Sequence, residues 1–192
     1  MAIDTSFFED NNVAFEVVSH PEIREAGVSG AARVLNCPEC YIVTTVLYEL
    51  DGQRTVGAAT GGGAQADSSM LCRAADAKKA ETIDPARAQE ITGIPKLRIS
   101  PLSLWKKFDV IWDDRIFDYP YLVFAETGAT ESIRVDTRDL ARAGITRDAL
   151  TPEPSDTDSP SAYDILLRRG FIDRVTDEAM AQLGLNEQES LF

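Results

Sequence analysis

The chain alternates short apolar runs with turn residues and carries no long amphipathic stretch. Its most strand-like run is Tyr41-Ile42-Val43-Thr44-Thr45-Val46-Leu47-Tyr48. Every residue in it is β-branched, aromatic or leucine, a composition that suits a pleated, packed surface. A run apolar on both faces predicts an interior strand. Ile42, Thr44, Val46 and Tyr48 share one face; Tyr41, Val43, Thr45 and Leu47 share the other. The two threonines put a hydroxyl on each face, so a site beside this strand is expected.

The flanking pattern supplies the other elements. A short helix is predicted over residues 4–11 and a strand over 13–18, after which Pro21 forces extended geometry on His20. Residues 28–35 place Val28, Ala31, Ala32 and Leu35 on one helical face. Asp51-Gly52 predicts a hairpin turn, with 54–60 returning antiparallel. Asp67 caps a helix to about residue 75, and 79–82 is a short strand. Asp84, Pro85 and Gly93 delimit a further helix. Residues 94–101 read as a loop with two prolines. Strands follow at 108–112, 121–125 and 131–135, then a helix from Asp136 closed by Gly144.

The polar, proline-rich run 151–160 is a linker, with two short helices beyond it. Strands and short helices mix without regular βα alternation. The expected fold is α+β: a mixed, largely antiparallel curved sheet with short helices around it. The expected organisation is a domain at 1–146, a linker at 147–160 and a helical tail at 161–192.

At 192 residues the chain can bury one full core and still leave a tail. No apolar run approaches a membrane span and no basic-then-apolar leader opens it, so a cytoplasmic protein with no membrane partner is expected. Its net charge of -13 argues against indiscriminate nucleic-acid binding. Residues 73–115 differ, with nine basic against seven acidic side chains. That segment is either a local basic face for a phosphate-bearing ligand or an ordinary solvated surface.

Several residues could carry chemistry. Cys37-Pro38-Glu39-Cys40 has metal or redox spacing, but only Cys72 and His20 could complete a zinc set, so no metal site is expected. Thr60-Gly61-Gly62-Gly63 lacks the Gly-Lys-Ser/Thr of a P-loop and reads as a hinge. His20 is the sole histidine and must serve any general-base scheme of the usual kind. The stiff 93–101 loop offers backbone amides for a carbonyl or carboxylate, and Lys96 and Arg98 for phosphate. Its other reading is a structural crossover.

At this point the chain resembles the YbaK/ProX family of aminoacyl-tRNA deacylases, related to the editing insertion of bacterial prolyl-tRNA synthetases. The likeness covers about residues 13–145. It rests on 15–22, on Val43-Thr44-Thr45-Val46, and on Ala75-Asp76-Ala77-Lys78-Lys79-Ala80. It continues through Ile83-Asp84-Pro85, Thr92-Gly93, Ser100-Pro101-Leu102 and 133–140.

The resemblance implies a compact α+β domain that hydrolyses the ester joining a wrong amino acid to the 3′ end of tRNA, without a cofactor. The family's strand reads aromatic-Lys-Thr-Leu, and Thr44 stands where its functional lysine would be. Leu97 stands where the family has the glycine of a GxxxP motif; Gly93, Ser100 and Pro101 are kept. The implied site therefore uses Thr44 and His20 in catalysis, and Thr45, Gly93, Lys96, Arg98, Ser100 and Pro101 against substrate. The alternative is an inactive relative that only binds. The ending Gln188-Glu189-Ser190-Leu191-Phe192 is similar to the peptide by which bacterial repair proteins bind the replication sliding clamp. On that reading Gln188, Leu191 and Phe192 would bind a partner. Residues 164–178 are similar to the leader of bacterial tyrosyl-tRNA synthetases, from which no activity is inferred.

Overall fold

The computed structural model describes residues 5–95, 98–126 and 129–152. Lys96, Leu97 and the tail, with Gln188, Leu191 and Phe192, lie outside the described residues.

The 41–48 run forms the interior strand its pattern predicts, displaced by two residues. Glu39–Tyr41 make a 3-10 turn, and β2 runs Val43–Leu50. Asp51 and Gly52 both take left-handed φ angles, 52° and 69°, turning the chain into β3, Arg54–Gly61. Asp51 also accepts hydrogen bonds from the Lys78 and Lys79 amides, which steers β4, Ala80–Thr82, onto the other side of β2. β5, Asp109–Asp113, adds to β3 in parallel, and β8, Thr146–Asp148, adds in parallel to β5. The five-stranded order is β4-β2-β3-β5-β8.

A second, antiparallel sheet contains β1, Glu16–Ser19, β7, Glu131–Asp136, and β6, Tyr121–Phe124, in the order β1-β7-β6. The two sheets meet at a parallel bridge between Ile42 and Val123. The fold is α+β, and the sheet expected as one curved surface is divided in two at this bridge.

The helices are α1 (Ser6–Asp10), α2 (Val28–Leu35), α3 (Ser68–Ala74), α4 (Pro85–Thr92), α5 (Pro101–Leu104) and α6 (Thr137–Leu140). Asp67, Asp84 and Asp136 cap α3, α4 and α6 through amide hydrogen bonds, each satisfying donors that a helix start leaves open. The main core joins Phe7, Phe8, Val43, Trp112, Phe124, Ile133 and Leu140 between the sheets. A second cluster under α3 takes Tyr48, Leu50, Val56 and Leu71. Thus both faces of β2 are covered, which is why its sequence does not alternate.

Two expectations change. Residues 147–152, assigned to a linker, are packed. Leu150 is fully buried, its amide donates to Asp113 Oδ1 at 3.0 Å, and the Thr151 hydroxyl donates to Asp113 Oδ2 at 2.6 Å. The 61–63 glycines serve close packing. A Cβ on Gly61 would lie 2.5 Å from the Cys40 carbonyl oxygen, and Gly62 has φ +66° against the Cys40 backbone. They seat the turn that carries Ile42 and Val43 into position.

Candidate active site

Where β2 begins, the two sheets and α2 leave a cavity of about 210 Å³. One end is aliphatic: Ile23, Val28, Ala31 and Ile42, contributed by the 20s loop, α2 and the bridge. The other end is polar, formed by Arg98, Ser100 and Glu126. A niche of about 40 Å³ adjoins it, sharing Val43, Ser100, Ala125 and Glu126 with the cavity and adding Leu102, Ser103 and Phe124.

The polar end is built by local rules. Ser100 and Ser103 form a reciprocal capping box at the start of α5, with Pro101 at its first position. The Ser100 amide donates to Ser103 Oγ at 2.9 Å, and the Ser103 amide to Ser100 Oγ at 3.2 Å. Ser103 Oγ is further tied to the Arg98 carbonyl at 3.1 Å, so the cap also fixes the loop. The loop expected over 94–101 thus gives way at Pro101 to a helix, whose Ser-Pro-x-Ser start signal is present in the sequence.

Glu126 follows β6 and faces Arg98, with Nε to Oε2 at 3.7 Å. Burial pushes the Glu126 carboxyl above the usual carboxylate range, and the Arg98 charge opposes this only in part. Sequence reading missed Glu126. A single glutamate in a loop carries no periodic signal, and its partner is far away in the chain.

The two threonines of β2 differ. Thr44 lines the cavity, but its hydroxyl leans toward Thr60, 3.4 Å from Thr60 Oγ1, which itself donates to the Ala64 carbonyl at 2.5 Å. Thr45, on the opposite strand face, has a buried Oγ1 with no hydrogen-bond partner among the described residues. A buried hydroxyl left this way is costly, and although Thr45 lines the cavity, this oxygen has no surface open to it.

The remaining expected site residues lie elsewhere. His20 does not line the cavity. In the neutral ring its Nδ1–H donates to the Pro21 carbonyl at 2.7 Å, and Nε2 accepts from Ser132 Oγ at 2.8 Å. It satisfies a fully buried serine and ties β1 to β7, so both ring nitrogens are committed to structure. Gly93 is the left-handed cap of α4, at φ 71°, and Pro101 is a buried first-turn residue of α5; neither lines the cavity. The Cys37 thiol is pushed up to about 11 by burial and by Cys40, the opposite of a reactive thiolate. Among the described residues no group of three or more His, Cys, Asp or Glu side chains could hold a metal ion.

The architecture has relatives. The chain superposes on the hypothetical protein APE2540 with a TM-score of 0.62 at 16% identity, over 74% of this chain and 95% of that one. It superposes on a candidate trans-editing enzyme for prolyl tRNA synthetase with a TM-score of 0.60 at 17% identity, over 79% of this chain and 99% of that one. A candidate signal transduction protein from Marinobacter aquaeolei VT8 gives 0.55 at 11% identity, over 79% of this chain but 31% of that one. At these identities the likeness establishes the fold. No curated protein matches the chain. The sequence pattern of the aminoacyl-tRNA editing domain matches residues 20–143. The chain belongs to that family, which implies an interaction with tRNA.

Proposed function

We propose that this protein hydrolyses the ester between a small, uncharged amino acid and the 3′ end of a tRNA. The observation that carries the reading is the two-ended cavity. Its aliphatic end suits a short side chain, and at about 210 Å³ it is smaller than a site for a drug-sized ligand. It would enclose the aminoacyl group and leave the nucleotide outside. At its polar end the Ser100 hydroxyl is a donor for the ester carbonyl, on which negative charge develops as water attacks. Arg98 brings positive charge to the same end.

Hydrolysis of tRNAs charged with alanine, serine, cysteine or valine, with Thr44→Ala alongside, tests this. We expect turnover of at least one charged tRNA, with Thr44→Ala keeping most of it because that hydroxyl is turned to Thr60. Tight binding of charged tRNA without turnover of any would instead support the second reading, a binding protein. That reading is favoured by one observation: a neutral threonine stands where the resemblance calls for lysine.

A further inference from the structure

The cavity and the niche meet at one carboxylate. Glu126 lines both, together with Val43, Ser100 and Ala125. The niche, at about 40 Å³, has room for a water, which needs roughly 10–15 Å³. Such a water needs polar partners, and three side chains in the niche supply them: Glu126, Ser100 and Ser103. Ser103 Oγ already has backbone partners, whereas the Ser100 hydroxyl has only a long 3.4 Å contact to Ser103 Oγ for its proton. The Ser100 hydroxyl and the Glu126 carboxylate are thus the groups left to hold a molecule between niche and cavity.

We propose that Glu126 is the general base of this site, taking a proton from a water held at the mouth of the niche. The inference rests on the ester-hydrolysis reading above and deepens it. The water's proton passes to Glu126, and its oxygen bonds to the ester carbonyl carbon. The bond between that carbon and the ribose oxygen then breaks. The proton returns from Glu126 to the ribose oxygen, leaving a free amino acid and a tRNA hydroxyl. Glu126 suits this work because it is ionisable yet half-desolvated, with a raised proton affinity that makes a carboxylate a stronger base near neutrality. Among the described residues lining either space, Arg98 is the other charged group. At 3.7 Å its guanidinium faces the carboxylate at the junction.

The test uses the full chain and the charged-tRNA panel, with Glu126→Gln and Glu126→Asp. Glu126→Gln keeps the size and one acceptor oxygen but cannot accept the proton. Its turnover should fall by about a hundredfold or more, while its affinity for charged tRNA stays within a few-fold of wild type. The wild-type rate should fall in acid with a midpoint above the ordinary glutamate value. Glu126→Asp should keep that limb at a lower rate. Turnover by wild type with more than a tenth retained in Glu126→Gln would overturn the role of Glu126 and leave the hydrolase reading standing. Should Glu126→Gln not fold, the wild-type profile decides: a rate flat through the carboxylate range overturns the proposal. No turnover of any charged tRNA by wild type overturns both the role of Glu126 and the hydrolase reading.

Discussion

Thr45 is where chemistry and stability pull apart. Its hydroxyl is buried without a partner, so the free protein carries a desolvation cost there. Thr45→Val keeps the branched shape that touches Gly57 and removes the oxygen. Stability should be unchanged or rise by about 1 kcal/mol, read by urea unfolding. Turnover on charged tRNA should stay within a few-fold of wild type, because the oxygen is sealed from the cavity. A loss of about a hundredfold would mean that this hydroxyl turns into the cavity to meet the developing oxyanion. The strand pattern put both threonines beside a site, but it could not rank them. Thr44 is paired across β3 with Thr60, a partner that register assigns and residue type does not. His20 was singled out for being the one histidine, yet rarity says nothing of placement, and it fastens Ser132.

Element by element, what was legible followed from local rules. The hairpin β2–β3 was marked by Asp51-Gly52, α4 by Asp84, Pro85 and Gly93, and α2 by its apolar face. β8 escaped notice because Thr146, Arg147 and Asp148 are polar and only edge-paired, so nothing in three residues distinguishes them from loop. Its importance is tertiary. Asp113 is 2% exposed, and both carboxylate oxygens accept from residues 150 and 151, while Leu150 is fully buried beside Tyr48 and Ile111. We therefore place the end of the folded unit at or beyond residue 152, not at 146. A chain stopped at 146 should be less stable than one stopped at 152 by at least about 3 kcal/mol. The loss combines the burial of one leucine with two hydrogen bonds to a charged group. Denaturant midpoints of the two truncations measure it, and equal midpoints would return the boundary to 146.

On the scale of the whole molecule, the question is how an acidic protein of net charge -13 engages tRNA. The basic 73–115 segment does not present a continuous cationic face. Lys79 pairs with Glu81 at 2.9 Å, Arg87 with Glu49 at 2.5 Å, Lys106 with Asp10 at 3.0 Å and Arg98 with Glu126 at 3.7 Å. These four of the segment's nine cations answer carboxylates on their own or a neighbouring element, so part of the segment's charge is spent locally. A duplex laid across the molecule would also meet the field of its net charge of -13. On the ester-hydrolysis reading proposed above, recognition concentrates at the cavity, which Arg98 lines, and on the single-stranded 3′ end. That predicts a shallow salt dependence. Each neutralised phosphate of a single strand contributes about 0.7 to the slope of log K against log salt, so one or two contacts give a slope of magnitude about 0.7 to 1.4. Fluorescence anisotropy of labelled charged tRNA over a salt series reads it directly. A slope of about 5 or more would mean a broad phosphate interface, and would move the tRNA body onto a surface other than the one around Arg98. A slope in the low range, with a further fall of about 0.7 in Arg98→Met, would fix the contact at the site itself.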